Sequence, residues 1–195
     1  MTPHGAPRDV HRRRVRPFDP EDVRLPDIAG GLTHTCRFGG HCRRFHSVAH
    51  HSPHAGSELA DRGPRLELLG QLHDAGEAYI GDLARPVKAE FEAVEQAEAR
   101  IRRAVWTAFD LEPPDESERD AVMAADDRLL VYEANELLAD GARAADPQAL
   151  DYDLRSDDVA DVRERLRSGT GGSRPTGRLR RATSTPNCRP RDPWV

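Results

Sequence analysis

The sequence lacks a long hydrophobic segment. No apolar run approaches the roughly 18 residues that a transmembrane helix requires, and the arginine-rich first residues are not followed by the apolar core of a secretory signal peptide. Cysteine is also scarce, because the chain has only 3 cysteines, which cannot all pair with one another. We therefore predict a protein of the reducing cytoplasm that does not span a membrane.

The composition of the 195 residues is sufficient for one domain of ordinary size. Hydrophobic residues make up 37% of the chain and charged residues 32%, which is polar for a globular protein but leaves enough leucine, alanine and valine for one core. The net charge of −5 is distributed unevenly, with +4 on residues 1–16, +5 on residues 168–195 and −14 on residues 17–167. Since the acidic middle would repel phosphates, we do not expect nucleic acid as a partner.

The two ends of the chain differ in composition from its middle. Residues 1–24 contain four prolines and show no apolar periodicity, which predicts a flexible N-terminal arm. Residues 168–195 are rich in glycine, proline, serine and arginine, a composition typical of a disordered basic tail. One folded domain is therefore predicted over residues 25–167.

The middle of the chain predicts an all-α domain. Apolar residues recur at helical spacing over residues 87–108 and again over residues 122–138. Two prolines separate these segments, and the serine and acids that follow them from Asp115 onward suit the start of the second helix. Shorter helices are expected over residues 64–79, which a proline opens, and over residues 47–59, where Ser47 is a candidate N-cap. Since no segment shows a convincing strand pattern, we predict a compact bundle of about five or six helices.

Six of the nine histidines fall between residues 34 and 54. A zinc knuckle could be drawn from Cys36, His41, Cys42 and His46. Five residues separate its two cysteines, whereas structural zinc sites use a spacing of about two to four, so ordinary thiols are favoured. His50 and His54 have the spacing of a chelating pair on a helix. Pro53 lies between them, however, and the sequence provides no glutamate of the metalloprotease pattern, which favours solvent-facing histidines.

A third arrangement combines distant parts of the chain. Asp126 lies in the register of the apolar stripe of a predicted helix, and a buried carboxylate needs a partner. His73 follows a leucine-rich segment and directly precedes Asp74. An ordinary hydrogen bond or ion pair would explain each of these residues alone. Their combination with His51 favours a metal ion as the shared partner.

Three segments of the chain carry a family resemblance. They are FHSVAHHS, LLGQLHDAGEAYIGDLARPVK and VMAADDRLLVYEANELL. In this order they resemble the HD-domain phosphohydrolase superfamily, with the motif H…HD…D, and within it the branch that contains bacterial 5′-deoxynucleotidases. The resemblance extends over residues 17–140. It implies a helical bundle in which four side chains hold a divalent cation, namely Mn, Co, Fe, Zn or Mg.

The resemblance also assigns roles to individual residues. The metal ligands that it implies are His51, His73, Asp74 and Asp126. Glu77 matches an acid that handles protons, and Asp82 matches an acid near the substrate. Arg37 matches an arginine that contacts the substrate phosphate, for which a guanidinium fork is well suited.

The segment that carries the first histidine departs from the family pattern. His50 stands where relatives commonly have an acidic or amide residue, while the following Ser52 aligns best with His51 as the ligand. Pro53 and His54 replace apolar residues and could bend the helix that presents His51.

The activity implied by the resemblance is the metal-dependent hydrolysis of a phosphomonoester, with a (deoxy)nucleoside 5′-monophosphate as substrate and a nucleoside and phosphate as products. Two alternatives stay open. One is the hydrolysis of another nucleotide, such as a dNTP, a cyclic dinucleotide or (p)ppGpp. The other is a metal-binding scaffold of the same fold without turnover. Because relatives form dimers, the resemblance also implies a homodimer.

Overall fold

A computed structural model describes residues 19–138 and 150–154 of the chain. The predicted all-α class is confirmed, since these residues contain seven α-helices and two isolated β-bridges but no β-strand. The helices are α1 (Leu25–His34), α2 (Val48–Ser57), α3 (Pro64–Leu72), α4 (Glu77–Ile80), α5 (Arg85–Lys88), α6 (Glu92–Ala108) and α7 (Glu116–Leu137). Helices α4 and α5 have only four residues each. None of the helices in this described part combines the length and apolar character needed to cross a membrane.

The predicted tail over residues 168–195 and most of the predicted N-terminal arm lie outside the described residues. Residues 19–24 of that arm are packed against the domain. Asp19 accepts a hydrogen bond from the Glu21 backbone N–H at 3.1 Å and caps a short 3-10 turn. The turn leads to Val23, which is buried in the main core. The packed region therefore begins before residue 25, because the valine side chain is apolar and lies over the core.

The main core lies between α1, α2, α3 and α6. Its buried side chains include Ile28, Leu32, Val48, Leu72, Ile101 and Val105. A second cluster packs α7 against α3 and the segment after α2. It consists of Leu59, Leu69, Ala121, Val122 and Ala125. Helix α7 contacts both α2 and α3. Helices α2, α3 and α7 therefore contact one another in pairs, and the candidate site lies where they meet.

The approach of α2 to α3 depends on a glycine. A Cβ atom at Gly70 would lie 2.7 Å from the carbonyl oxygen of Ala55, closer than real side chains come to a neighbouring backbone. The missing side chain at this position therefore allows the two helices to touch. As a result, His51 on α2 lies beside His73, which directly follows α3.

The helices α2 and α7 begin as the sequence predicts. Ser47 is the N-cap of α2, which continues through Pro53 to Ser57. Helix α7 begins after Asp115, whose carboxylate accepts a hydrogen bond from the Glu118 N–H at 2.8 Å. Glu118 in turn accepts a hydrogen bond from the Asp115 N–H at 3.0 Å, which completes a capping box.

Two predicted helices are divided in the structure. The helix expected over residues 64–79 ends at Leu72, and α4 starts only at Glu77. Between them, Ala75 N–H donates to Leu72 O and Glu77 N–H to Asp74 O, so bonds of the i to i+3 type tighten the chain into turns. The helix expected over residues 87–108 is divided where Phe91, with a non-helical backbone, caps α6. Its first apolar residues therefore lie in solvent rather than in the core, with Phe91 55% exposed.

Candidate metal centre

Four side chains from three parts of the chain meet at the junction of α2, α3 and α7. They are His51 in α2, His73 and Asp74 after the end of α3, and Asp126 in α7. One potential ligand atom of each lies within 4.8 Å of the other three. Across residues 19–138 and 150–154, no other set of three or more His, Cys, Asp or Glu side chains meets in this way. The structure thus brings together the four residues that the resemblance names as ligands. We call these four side chains the metal group.

Hydrogen bonds fix the orientation of both imidazole rings. His73 Nδ1 lies 2.6 Å from the carbonyl oxygen of Gly70, and His51 Nδ1 lies 2.9 Å from Oε1 of Glu133. Because a carbonyl or carboxylate oxygen can only accept, each Nδ1 carries the hydrogen, and a neutral ring keeps its lone pair on Nε2. The two Nε2 atoms lie 3.4 Å apart. Both rings are therefore presented in the tautomer that a metal ligand requires.

Each carboxylate of the group presents one oxygen to both rings. Asp74 Oδ2 lies 3.1 Å from His73 Nε2 and 3.8 Å from His51 Nε2. Asp126 Oδ1 lies 3.2 Å from His51 Nε2 and 3.7 Å from His73 Nε2. Two imidazole nitrogens and two carboxylate oxygens form a mixed donor set that suits a divalent first-row cation or Mg²⁺. The donor types and their orientation fit the implied metal ion, and this group could hold one.

The electrostatics of the group follow from burial and mutual attraction. Burial disfavours the charge on Asp74, but the neighbouring His73 and His51 outweigh it and lower the pKa of Asp74 to about 2. Against the same effect of burial, the two histidines hold the pKa of Asp126 well below its ordinary range. Burial and Arg37 oppose protonation of His51, and burial opposes that of His73, yet the carboxylates raise the pKa of both rings. Without a cation, protons on the imidazoles therefore balance the carboxylates.

We expect the affinity of the group for Mn²⁺ to increase with pH. A cation must displace the protons that the carboxylates hold on His51 and His73, so binding releases protons. Below the raised pKa of the histidines, each displaced proton changes the dissociation constant about tenfold per pH unit. Titration calorimetry from about pH 6 to about pH 8, in buffers of different ionisation enthalpy, measures the dissociation constant and the number of protons released. A dissociation constant that stays the same across this range would contradict the expectation.

An arginine holds the outer oxygen of one carboxylate. Arg85 Nη2 lies 2.6 Å from Asp126 Oδ2, and Arg85 Nη1 lies 2.6 Å from Oδ1 of the next residue, Asp127. The guanidinium fork therefore engages Oδ2 while the other oxygen, Oδ1, faces the imidazoles. No motif of the sequence marked Arg85 for this role. Its only local signal was the Arg-Pro start of α5, which says nothing about contact with α7.

Arg37 lies beside the group but is already engaged. Its Nε and Nη2 lie 3.1 Å and 2.8 Å from Glu133 Oε2, and its Nη1 lies 3.6 Å from Asp74 Oδ2. The Arg37 backbone N–H donates to His46 O at 2.9 Å. The next residue, Phe38, has φ of +55°, a left-handed conformation that turns the chain sharply after Arg37. The loop thus places the buried guanidinium of Arg37 against the metal group.

The two other predicted acids lie near the group but outside the ligand set. Glu77 is buried, with Oε1 3.8 Å from Lys88 Nζ and Oε2 without a hydrogen-bond partner among the described residues. Burial, together with the charges of Asp74 and Asp82, raises the pKa of Glu77 to about 9. Asp82 is half-buried, and burial raises its pKa against the opposing charge of Arg37. Glu77 is therefore a protonated carboxyl group at neutral pH in the absence of a cation.

The neighbouring histidines serve the structure of α2. Ser47 N–H donates to His50 Nδ1 at 3.1 Å, and Ser47 Oγ lies 2.8 Å from the same atom. His50 therefore completes the cap of α2, and it is His51 that faces the metal group. The expectation that His50 and His54 face solvent is wrong, since they are only 4% and 9% exposed. The His54 ring stacks on Tyr152 with ring centroids 4.3 Å apart, because an imidazole can pack like an aromatic side chain.

The described residues do not form the alternative zinc knuckle. Its four candidates, Cys36, His41, Cys42 and His46, do not converge as a metal group. The two cysteines are free and half-buried thiols, and burial, with Cys36 nearby, raises the pKa of Cys42 to about 11. His46 is buried and places its Nε2 3.5 Å from Glu133 Oε1. The interpretation of both cysteines as ordinary thiols therefore agrees with the structure.

Comparison with known proteins shows two bacterial relatives. The chain is 34% identical over 93 residues to the uncharacterized protein YfdR of Escherichia coli, which is 48% of this chain and 51% of YfdR. It is also 34% identical over 108 residues to the uncharacterized protein RCAP_rcc00048 of Rhodobacter capsulatus, which is 51% of this chain and 55% of that protein. The chain thus spans about half the length of the curated relatives it matches. No family model matches the chain.

Proposed function

We propose that this protein is a metal-dependent phosphohydrolase of the HD type that hydrolyses a phosphomonoester. The observation that carries the proposal is the meeting of His51, His73, Asp74 and Asp126, with both Nε2 atoms oriented toward the carboxylates. Their order along the chain, H…HD…D, supports the same assignment by resemblance. The substrate that we propose, a (deoxy)nucleoside 5′-monophosphate, rests on that resemblance alone.

The proposed reaction divides its tasks among these side chains. A divalent cation held by the four ligands would lower the pKa of a water molecule and polarise the phosphoryl group. The water releases one proton to the solvent as its oxygen forms a bond to phosphorus. The bond from phosphorus to the ribose oxygen breaks, and the leaving oxygen takes up a proton. We assign this proton to Glu77, which is buried and whose pKa is raised by burial and by the charge of Asp74. A cation nearby favours the carboxylate form of Glu77 and so favours release of the proton.

Arg37 is the residue that we propose for binding the phosphate. Two of its nitrogens are fixed by Glu133, so the guanidinium keeps a single orientation with Nη1 toward Asp74. A guanidinium held in this way donates to an anion without a further loss of side-chain freedom. It also supplies positive charge where the acidic middle of the chain would otherwise repel the substrate.

Release of inorganic phosphate from a panel of nucleoside 5′-monophosphates, in the presence of Mn²⁺ or Co²⁺, tests the proposed activity. We expect the wild-type protein to release phosphate and Asp126→Asn to lose at least about a hundredfold of the rate, because one neutral ligand replaces a charged one. Asp120→Asn, an exposed position of the same helix, serves as the control and should match the wild type.

The panel also separates the alternatives. Hydrolysis of a dNTP, a cyclic dinucleotide or (p)ppGpp, with no reaction of the monophosphates, would keep the metal-dependent phosphohydrolase and replace its substrate. Stoichiometric Mn²⁺ bound to a protein that hydrolyses none of these compounds would overturn the enzyme assignment and favour a metal-binding scaffold.

A further inference from the structure

Glu133 is the most deeply buried acid beside the metal group. It lies on α7 seven residues after Asp126, two helical turns along the same face, and has 0% of its surface exposed. An isolated carboxylate at such a position would cost several kcal/mol. Burial opposes its ionisation, but His51 and Arg37 lower the pKa of Glu133 well below its ordinary value. The ion pair with Arg37, whose Nη2 lies 2.8 Å from Oε2, therefore compensates the charge of this buried carboxylate.

The two oxygens of this carboxylate serve different partners. Oε1 accepts from His51 Nδ1 at 2.9 Å, with His46 Nε2 at 3.5 Å. Oε2 accepts from Arg37 through Nε at 3.1 Å and Nη2 at 2.8 Å. We infer, on the basis of the proposed function, that Glu133 is a positioning residue. One carboxylate fixes both the first proposed cation ligand, His51, and the proposed phosphate-binding residue, Arg37.

The hydrogen bond between Glu133 and His51 determines which nitrogen of the His51 ring faces the other residues of the metal group. Since Oε1 can only accept, the hydrogen stays on Nδ1 and the lone pair stays on Nε2. A carboxylate behind a ligating histidine also increases the basicity of the ring. Without Glu133, the imidazole of His51 can place its hydrogen on either nitrogen, and one of the two tautomers cannot bind a cation.

Glu133 also completes the charge balance of the site. With neutral imidazoles, four carboxylates and two guanidiniums leave two negative charges, which a divalent cation would neutralise. The carboxylates are those of Asp74, Asp126, Asp127 and Glu133, and the guanidiniums are those of Arg37 and Arg85. Removing the Glu133 charge leaves one negative charge for the same cation. Both the ring orientation and the charge therefore predict a lower cation affinity when this carboxylate is lost.

Glu133→Gln tests the inference because glutamine has nearly the same shape. Its single amide oxygen can accept from His51 or from Arg37, while its NH₂ group must face the other donor. We expect the dissociation constant for Mn²⁺, measured by calorimetry, to rise by about 10- to 100-fold. We also expect ¹⁵N NMR of the cation-free protein to show a changed tautomer or protonation state of His51, a signature that a general loss of packing would not produce. Glu136→Gln, with an exposed acid on the same helix, is the control.

A second measurement separates the two roles of Glu133. At Mn²⁺ concentrations that saturate both proteins, Glu133→Gln should still bind inorganic phosphate several-fold more weakly than the wild type, because Arg37 is no longer fixed. If Glu133→Gln does not fold, Glu133→Asp replaces it. The shorter side chain keeps the charge but cannot reach both partners, so it should weaken the binding of Mn²⁺, of phosphate or of both.

The outcomes distinguish this inference from the proposed function. A folded Glu133→Gln protein with the Mn²⁺ and phosphate affinities of the wild type would overturn the positioning role and leave the phosphohydrolase proposal standing. A wild-type protein that binds Mn²⁺ but hydrolyses no phosphomonoester would overturn the activity. The ratio of the Mn²⁺ dissociation constants of the two proteins would then still decide the role of Glu133 toward His51.

Discussion

His73→Ala is expected to abolish cation binding and all hydrolysis that depends on the cation. The substitution removes one of only four ligand atoms and leaves Asp74 and Asp126 without the ring that lies between them. Since a bound metal contributes several kcal/mol to such reactions, the rate should fall by about a thousandfold or more. Metal analysis of the purified variant and phosphate release measure the two losses separately.

The same substitution should remove the stabilisation that the cation provides. At a free Mn²⁺ concentration about 100 times its dissociation constant, binding adds about 2.7 kcal/mol to the stability of the wild type. For a chain of this size, this corresponds to a rise of about 5–10 °C in the melting temperature. His73→Ala should show no rise with Mn²⁺. If the melting temperature of the wild type is itself unaffected by the cation, binding is not coupled to folding.

His34 provides a matched control for His73. It ends α1 as His73 follows α3, and its Nδ1 lies 2.8 Å from the carbonyl oxygen of Gly30, four residues earlier. Unlike His73, His34 is exposed and belongs to no metal group among the described residues. His34→Ala should therefore keep the full Mn²⁺-dependent rise in melting temperature.

Arg37→Ala is expected to destabilise the protein strongly even without a cation. The substitution leaves the buried carboxylate of Glu133 without its guanidinium partner. Breaking a buried ion pair by removing one partner costs about 3–5 kcal/mol, because the other charge remains uncompensated. Urea unfolding monitored by circular dichroism measures this difference. The free energy of unfolding should fall far less for Arg102→Ala, since the Arg102 side chain is 37% exposed and its partner Glu98 stays paired with Lys88 Nζ at 2.9 Å.

A double substitution identifies the cause of that loss. If the buried charge of Glu133 is responsible, Glu133→Gln combined with Arg37→Ala should be more stable than the sum of the two single losses predicts. Additive losses would show that Arg37 stabilises the protein by other contacts, such as its packing on the Phe38 ring. An Arg37→Ala protein with the same free energy of unfolding as the wild type would show that the pair of Arg37 and Glu133 does not stabilise the protein.

Local sequence signals predicted the helices that depend on local interactions. The start of α2 follows from Ser47, and the start of α7 follows from an acidic segment after two prolines, in which Asp115 and Glu118 cap each other. The break after α3 carried no comparable signal. Residues 73–76 fit a helical pattern in the sequence. In the structure they form tight turns, which place Asp74 beside His51 of α2 and His73 beside Asp126 of α7.

The candidate site likewise combines residues that the sequence named with residues that it did not. The sequence predicted the all-α class through its apolar periodicity and, through the resemblance, named the four side chains that meet in the structure. It did not reveal Glu133 or Arg85, because neither belongs to a local motif, and each acts on a residue far away in the chain. The folded chain shows which acid of α7 lies behind His51 and which arginine is buried with it. Those contacts depend on the packing of α2, α3 and α7 against one another, which local periodicity does not specify.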